Sequence, residues 1–83
     1  MADRPLLTLY GRSYCHLCDD MLVALRSLRE APAFDLGYVD VDSDPQFERR
    51  FGELVPVLMA GDRELCRHYL DEAVVRAYLN KIG

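Results

Sequence analysis

The sequence predicts a single α/β domain with the order β-α-β-α-β-β-α, in which helices cover both faces of a mixed four-stranded sheet. The first half of the chain reads as a strand, an amphipathic helix and a second strand, and a unit of this size implies parallel strands with a right-handed crossover. After a short helix, the second half contains a hairpin, which adds antiparallel strands, and a closing helix. The 83 residues suffice for one domain, residues 1–83.

The first strand and the first helix flank a pair of cysteines. The segment from Leu6 to Tyr10 (LLTLY) is short, apolar and compatible with a strand, and Gly11 signals a turn after it. Because Pro cannot continue a helix, the helix should end before Pro32. The apolar positions with helical spacing are Cys18, Met21, Leu22, Leu25 and Leu28.

The middle of the chain predicts a strand and a short helix. Phe34 to Val41 (FDLGYVDV) reads as the second strand, and the glycine inside it, Gly37, is typical of a bulge. Asp44 is placed to cap the following helix, with Pro45 at its first position. Gly52 is expected to close that helix.

Two further strands and a helix complete the domain. Val57 to Ala60 (VLMA) and Glu64 to Tyr69 (ELCRHY) predict a hairpin around the Gly-Asp pair between them. Asp71 is the expected cap of the last helix. The apolar stripe of that helix is expected at Leu70, Val74, Ala77 and Tyr78.

The composition and net charge disfavour several classes of protein. A formal net charge of −4 disfavours a nucleic-acid partner, and no apolar run approaches the roughly 18 residues that would span a bilayer. Residues 1–5 (MADRP) are polar and lack the apolar core of a signal peptide, so a cytoplasmic location is expected. Three cysteines are an odd count, which is unlike a secreted disulfide framework. We expect a monomer.

The pair Cys15 and Cys18 carries the predicted chemistry. The first cysteine of such a motif lies at the start of a helix, where unpaired N–H groups and the helix dipole stabilise a thiolate. The second lies one turn further and points back toward the first. The thiolate is the reactive form, so Cys15 is the expected nucleophile and Cys18 the resolving cysteine of a thiol–disulfide oxidoreductase.

Charged neighbours act on this thiolate in both directions. Arg12, and His16 if protonated, would favour the thiolate of Cys15. Asp19 and Asp20 would oppose it unless their side chains point to solvent.

Two other functions fit the same residues. The dithiol could be half of a zinc or cluster site, with Cys66 and His68 as the remaining ligands, although the predicted fold places both on the fourth strand, away from the start of the first helix. The chain could also be a protein-interaction module with little turnover. Cys66 itself is interpreted as a small apolar strand residue.

The motifs taken together resemble the thioredoxin/glutaredoxin superfamily over essentially the whole chain. They are the Cys-x-x-Cys at a strand–helix junction, the Val55-Pro56 pair before the third strand, and the segments LTLYGRSYCHLC and VDVDSDP. The sequence is most similar to small bacterial glutaredoxin-like proteins. The resemblance implies a thioredoxin fold in which Pro56 is cis and packs against the dithiol, leaving the backbone of Val55 free to pair with an extended substrate.

The resemblance also implies substrates and partners. Protein disulfides are the expected substrates, with glutathione as a co-substrate or a thioredoxin-type protein as reductant, and with no tightly bound cofactor or metal. The glutathione site is only half present, because Leu54 replaces the usual Thr and the stretch from Cys66 to His68 lacks the usual Gly pair. The acidic residue at the start of the last helix is retained as Asp71 or Glu72. The expected substrate contacts are Arg12, Tyr14, His16, Val55, Pro56 and Asp71.

Overall fold

The computed structural model of the chain describes residues 4–82, so the first three residues of the polar N-terminus lie outside the described part. Three α-helices and four strands form in the predicted order, with a 3₁₀ turn between β2 and α2. The elements are β1 (Leu6–Gly11), α1 (His16–Arg26), β2 (Asp35–Asp40), the 3₁₀ turn (Val41–Ser43), α2 (Pro45–Phe51), β3 (Val57–Ala60), β4 (Arg63–Arg67) and α3 (Glu72–Ile82).

The four strands form one mixed sheet in the order β2-β1-β3-β4. β1 and β2 are parallel, with Leu9 beside Tyr38 and Gly11 beside Asp40. β3 is antiparallel to β1 and to β4. The predicted fold class, a mixed four-stranded sheet in an α/β domain, is confirmed.

Helices pack on both faces of this sheet. α1 and α3 lie on one face, where Met21 and Leu25 meet Val75 and Leu79 over the inward side chains of β1. α2 lies on the other face, where its Phe51 packs in a second cluster of buried residues. The central strand β3 is therefore buried on both sides, with all four of its residues buried, whereas the edge strands β2 and β4 are partly exposed.

Both predicted helix caps form. Asp44 Oδ1 accepts the N–H of Gln46 at 2.8 Å, with Pro45 in the first position of α2. Asp71 Oδ1 accepts the N–H of Val74 at 3.2 Å. Each cap satisfies an N–H group that has no partner inside its helix.

Several predicted boundaries are wrong. α1 ends at Arg26, where the N–H of Ser27 returns to the preceding turn, so Leu28 lies outside the helix. β2 ends before Val41, which starts the 3₁₀ turn. β4 ends at Arg67, because His68 takes a left-handed backbone (φ 67°) that a strand cannot accommodate.

Two predicted patterns are also wrong. The β1–β2 pairing runs regularly through Gly37, and the irregularity lies in the β3–β4 pairing, where Leu65 of β4 is left without a partner opposite Leu58 and Met59. The buried face of α3 is formed by Val75 and Leu79, whereas the predicted Val74 is 36% exposed and the predicted Ala77 is also exposed.

Candidate redox site

Cys15 and Cys18 are joined by a disulfide at the amino end of α1, with their Cα atoms 5.2 Å apart. Cys15 is the N-cap, and its Sγ accepts the N–H of Cys18 at 3.2 Å. Cys15 is half-buried and Cys18 has no exposed surface. One sulfur is therefore open to an incoming substrate and touches a helix N–H donor, and the other is enclosed directly behind it.

Arg12, predicted to support the thiolate, is engaged elsewhere. Its guanidinium forms an ion pair with Glu48 of α2, and it lies 3.6 Å from the carboxylate of Asp42. Its Nε is buried without a hydrogen-bond partner among residues 4–82. Two carboxylates thus offset the charge that Arg12 would otherwise present to Cys15.

Tyr14 and His16 flank Cys15 and are both exposed. Tyr14 has a left-handed backbone (φ 61°), which is uncommon outside glycine, and its side chain is fully exposed. The turn therefore projects an aromatic ring into solvent beside the half-buried sulfur.

The peptide bond between Val55 and Pro56 is cis, as the resemblance implied, and Pro56 is buried. The Pro56 carbonyl oxygen accepts the N–H of His68 at 2.8 Å. The expectation that the Val55 backbone is free needs correction, since its N–H donates to the carbonyl oxygen of Phe51 at 3.1 Å. The Val55 carbonyl oxygen accepts no hydrogen bond from residues 4–82.

A groove of about 290 Å³ runs from the start of α1 to the loop before α3. Asp20 and Glu72 contribute acidic side chains to it, whereas the predicted contact Asp71 is used for capping and does not line it. The remaining lining residues are Leu17, Met21, Ala24, His68, Tyr69 and Leu70.

Cys66 lies on β4, half-buried against the core cluster beneath α1 and α3. Burial raises the pKa of its thiol; a hydrogen bond from the backbone N–H of Asp71 opposes this, and the carboxylates of Asp71 and Glu64 add to the rise. The thiol is therefore expected to stay protonated and weakly reactive at neutral pH, in keeping with the predicted apolar role.

Sequence reasoning missed Tyr38. An ideal Cβ built on Gly11 would lie 2.5 Å from Tyr38 Oη and 3.1 Å from the Cβ of Cys18, so the tyrosine hydroxyl and Cys18 lie on the same side of Gly11. Burial raises the pKa of this hydroxyl, and so do the charges of Asp19 and Asp40. The alternation of residues along β2 could have indicated that Tyr38 faces the core side of the sheet, where the strand register sets it beside the core residue Leu9.

No group of three or more His, Cys, Asp or Glu side chains within residues 4–82 is arranged to hold a metal ion. The described helices are too short or too polar to cross a membrane.

The fold and the site define a class of protein: a thioredoxin-like domain with a Cys-x-x-Cys at the start of its first helix. A family model described as "Glutaredoxin-like domain (DUF836)" matches residues 6–80, and the chain belongs to this family. No curated protein matches the sequence significantly.

Solved structures agree with this assignment. The solution structure of protein Ne2328 from Nitrosomonas europaea is 38% identical, with 95% of each chain covered and a TM-score of 0.82. The crystal structure of protein XcR50 from X. campestris is 37% identical, covering 90% of this chain and 96% of that one, with a TM-score of 0.69. Thioredoxin 1 from Thermosipho africanus is 16% identical over 93% and 97% of the chains, with a TM-score of 0.62, and shows the fold alone.

Proposed function

We propose that the protein is a thiol–disulfide oxidoreductase that reduces protein disulfides or glutathione mixed disulfides. The observation that carries the proposal is the arrangement of the two sulfurs, with Cys15 half-exposed at a helix N-terminus and Cys18 enclosed one turn further. A bacterial cytoplasm, in which thiol reductants keep such a pair reduced, is the compartment we propose for it.

The reaction needs two exchange steps. The thiolate of Cys15 attacks one sulfur of the substrate disulfide, a mixed disulfide forms, and the other substrate sulfur leaves as a thiolate. The thiolate of Cys18 then attacks the Cys15 sulfur and releases the second substrate sulfur. The substrate gains two electrons and the protein is left with the Cys15–Cys18 disulfide, which a thiol reductant, either glutathione or a thioredoxin-type protein, must reopen.

The first step is favoured by the position of Cys15. The N–H of Cys18 already points at its sulfur at 3.2 Å, and this contact strengthens when the sulfur is charged. Because Arg12 is paired with Glu48, the helix N-terminus supplies more of this stabilisation than a neighbouring cation does.

For the substrate we propose contacts with Tyr14 and His16 beside the sulfur and with the Val55 carbonyl oxygen opposite it. The Val55 N–H already donates to Phe51, so it is not available to a substrate carbonyl oxygen. An extended substrate would therefore make one backbone hydrogen bond here, from its own N–H to the Val55 carbonyl oxygen. The groove beyond Leu17 would hold the residues that follow the substrate cysteine.

The acidic groove favours protein substrates over glutathione as the principal ones. Glutathione carries two carboxylates, and in this groove they would meet the acidic side chains of Asp20 and Glu72. We therefore propose glutathione as a co-substrate that reacts at Cys15 without a dedicated binding site.

The test is mass spectrometry of the Cys18→Ser variant after incubation with oxidised glutathione. We expect one glutathione adduct, on Cys15, that persists because no resolving thiol remains. The Cys15→Ser variant is the control and should stay unmodified, since Cys18 is fully buried and the raised pKa of Cys66 keeps its thiol protonated. If Cys15 reacts no faster than a free cysteine at neutral pH, the proposed function is wrong.

A further inference from the structure

Cys18, the proposed resolving cysteine, is buried more deeply than Cys15. Cys18 must become a thiolate to attack the mixed disulfide, yet it has no exposed surface, and burial without a donor disfavours the charged form. Its own backbone N–H is directed at the sulfur of Cys15. A donor on another element would therefore stabilise the Cys18 thiolate.

Tyr38 brings a hydroxyl to the same side of Gly11 as Cys18. β2 is parallel to β1, and the register sets Tyr38 beside Leu9, on the face covered by α1. From there the ring extends over Gly11, so that its Oη and the Cβ of Cys18 lie 2.5 and 3.1 Å from the same point in space. In the disulfide form Tyr38 Oη makes no hydrogen bond with any residue in 4–82, whereas Cys18 Sγ is bonded to Cys15.

We propose that the Tyr38 hydroxyl donates a hydrogen bond to the Cys18 thiolate and so sets the rate of the resolving step. The proposal rests on the proposed function, because it concerns the second of its two exchange reactions. When the mixed disulfide forms on Cys15, the sulfur of Cys18 is freed and can turn toward the hydroxyl. Cys18 gives its proton to solvent, Tyr38 keeps its own, and the stabilised thiolate attacks Cys15 and expels the substrate sulfur as a thiolate.

The charges around Tyr38 suit a donor. The groups that act on it are Asp19 on α1 and Asp40 on β2, both acidic, and Gly11 on β1 contributes no side chain. Together with burial, the carboxylates keep the phenol protonated well above neutral pH. The same hydroxyl would hold Cys18 as a leaving thiolate when a reductant reopens the disulfide.

The Tyr38→Phe variant removes the hydroxyl and keeps the ring. A Cys66→Ser background leaves two thiols, and reduced protein in excess over 5,5′-dithiobis(2-nitrobenzoate) gives two releases of thionitrobenzoate. The first reports attack by Cys15 and the second reports resolution by Cys18. We expect an unchanged first phase, and a second phase slowed about ten-fold at neutral pH, with its pH midpoint raised by about one unit.

The control is Tyr78→Phe in the same background, because Tyr78 lies on α3 beside Arg63, which pairs with Ala60 at the end of β3 opposite Pro56. It should leave both phases unchanged. If Tyr38→Phe leaves the second phase and its pH midpoint unchanged, the inference is wrong and the proposed function stands. Slowing of both phases to the same extent would show a structural role and would also overturn it. If the Cys66→Ser protein with Tyr38 intact gives no second phase, the proposed function itself is wrong.

Discussion

Replacing Gly11 by alanine tests how closely Tyr38 is packed against the dithiol. The new Cβ would lie 2.5 Å from Tyr38 Oη, a separation that real Cβ contacts essentially never show, and 3.1 Å from the Cβ of Cys18. Overpacking of this kind costs about 1–3 kcal/mol. Tyr38 is 43% exposed and its hydroxyl is the far end of a flexible side chain, so the ring can swing outward. We therefore expect a loss near the lower limit, about 1 kcal/mol, or a fall in Tm of roughly 4–8 °C.

Thermal unfolding followed by circular dichroism measures this loss, and Gly37→Ala is the matched control. Gly37 also lies in the parallel pair, but its Cβ would meet only the Leu6 side chain at 3.8 Å and a backbone oxygen at 4.0 Å, which are ordinary contacts. The control should change Tm by much less. In the double variant Gly11→Ala with Tyr38→Phe, the closest atom is gone and part of the stability should return. Equal losses at both glycines, or no recovery in the double variant, would refute the packing argument.

Two further predictions concern charge. The pKa values of Cys66 and Tyr38 are raised in the folded chain, so the folded chain keeps these two protons to a higher pH than the unfolded chain does. The free energy of unfolding should therefore fall as the pH rises above the ordinary pKa values of 9.0 for Cys and 10.0 for Tyr. Urea unfolding at increasing pH measures this fall. Glu48→Gln removes one of the two carboxylates that offset Arg12, so iodoacetamide should alkylate Cys15 about two-fold faster, while the loss of an exposed ion pair should cost less than about 1 kcal/mol.

Each of these has a control in the same chain. Cys66→Ser and Tyr38→Phe should each flatten part of the alkaline decline, and an undiminished decline in both would assign it to other groups. Glu53→Gln removes the same charge from an exposed site that forms no ion pair within residues 4–82, and it should leave Cys15 alkylation unchanged. An equal acceleration in both glutamine variants would indicate a general effect of net charge and would contradict the role given to Arg12.

The features that could be predicted from the sequence depend on residues close together in the chain. The Asp44 cap joins a side chain to an N–H two residues later, and the residue types alone indicate it. The buried face of α3 is different, because Val74 and Val75 both fit a helical repeat. The choice between them depends on how the helix docks on the sheet, and docking buries Val75. The end of β4 likewise depends on a contact distant in sequence: the N–H of His68 donates to the carbonyl oxygen of Pro56, the residue directly before β3.

The same distinction divides the two halves of the dithiol. The environment of Cys15 is local, since its donor is the N–H three residues further along the chain, and a Cys-x-x-Cys before a helix is enough to predict it. The environment of Cys18 is built by Gly11 from one strand and Tyr38 from the next, which meet only because the two strands pair in this register. A nucleophilic cysteine can therefore be recognised from a motif. The group that we propose to tune Cys18 lies on another strand, so it could be found only in the packed structure.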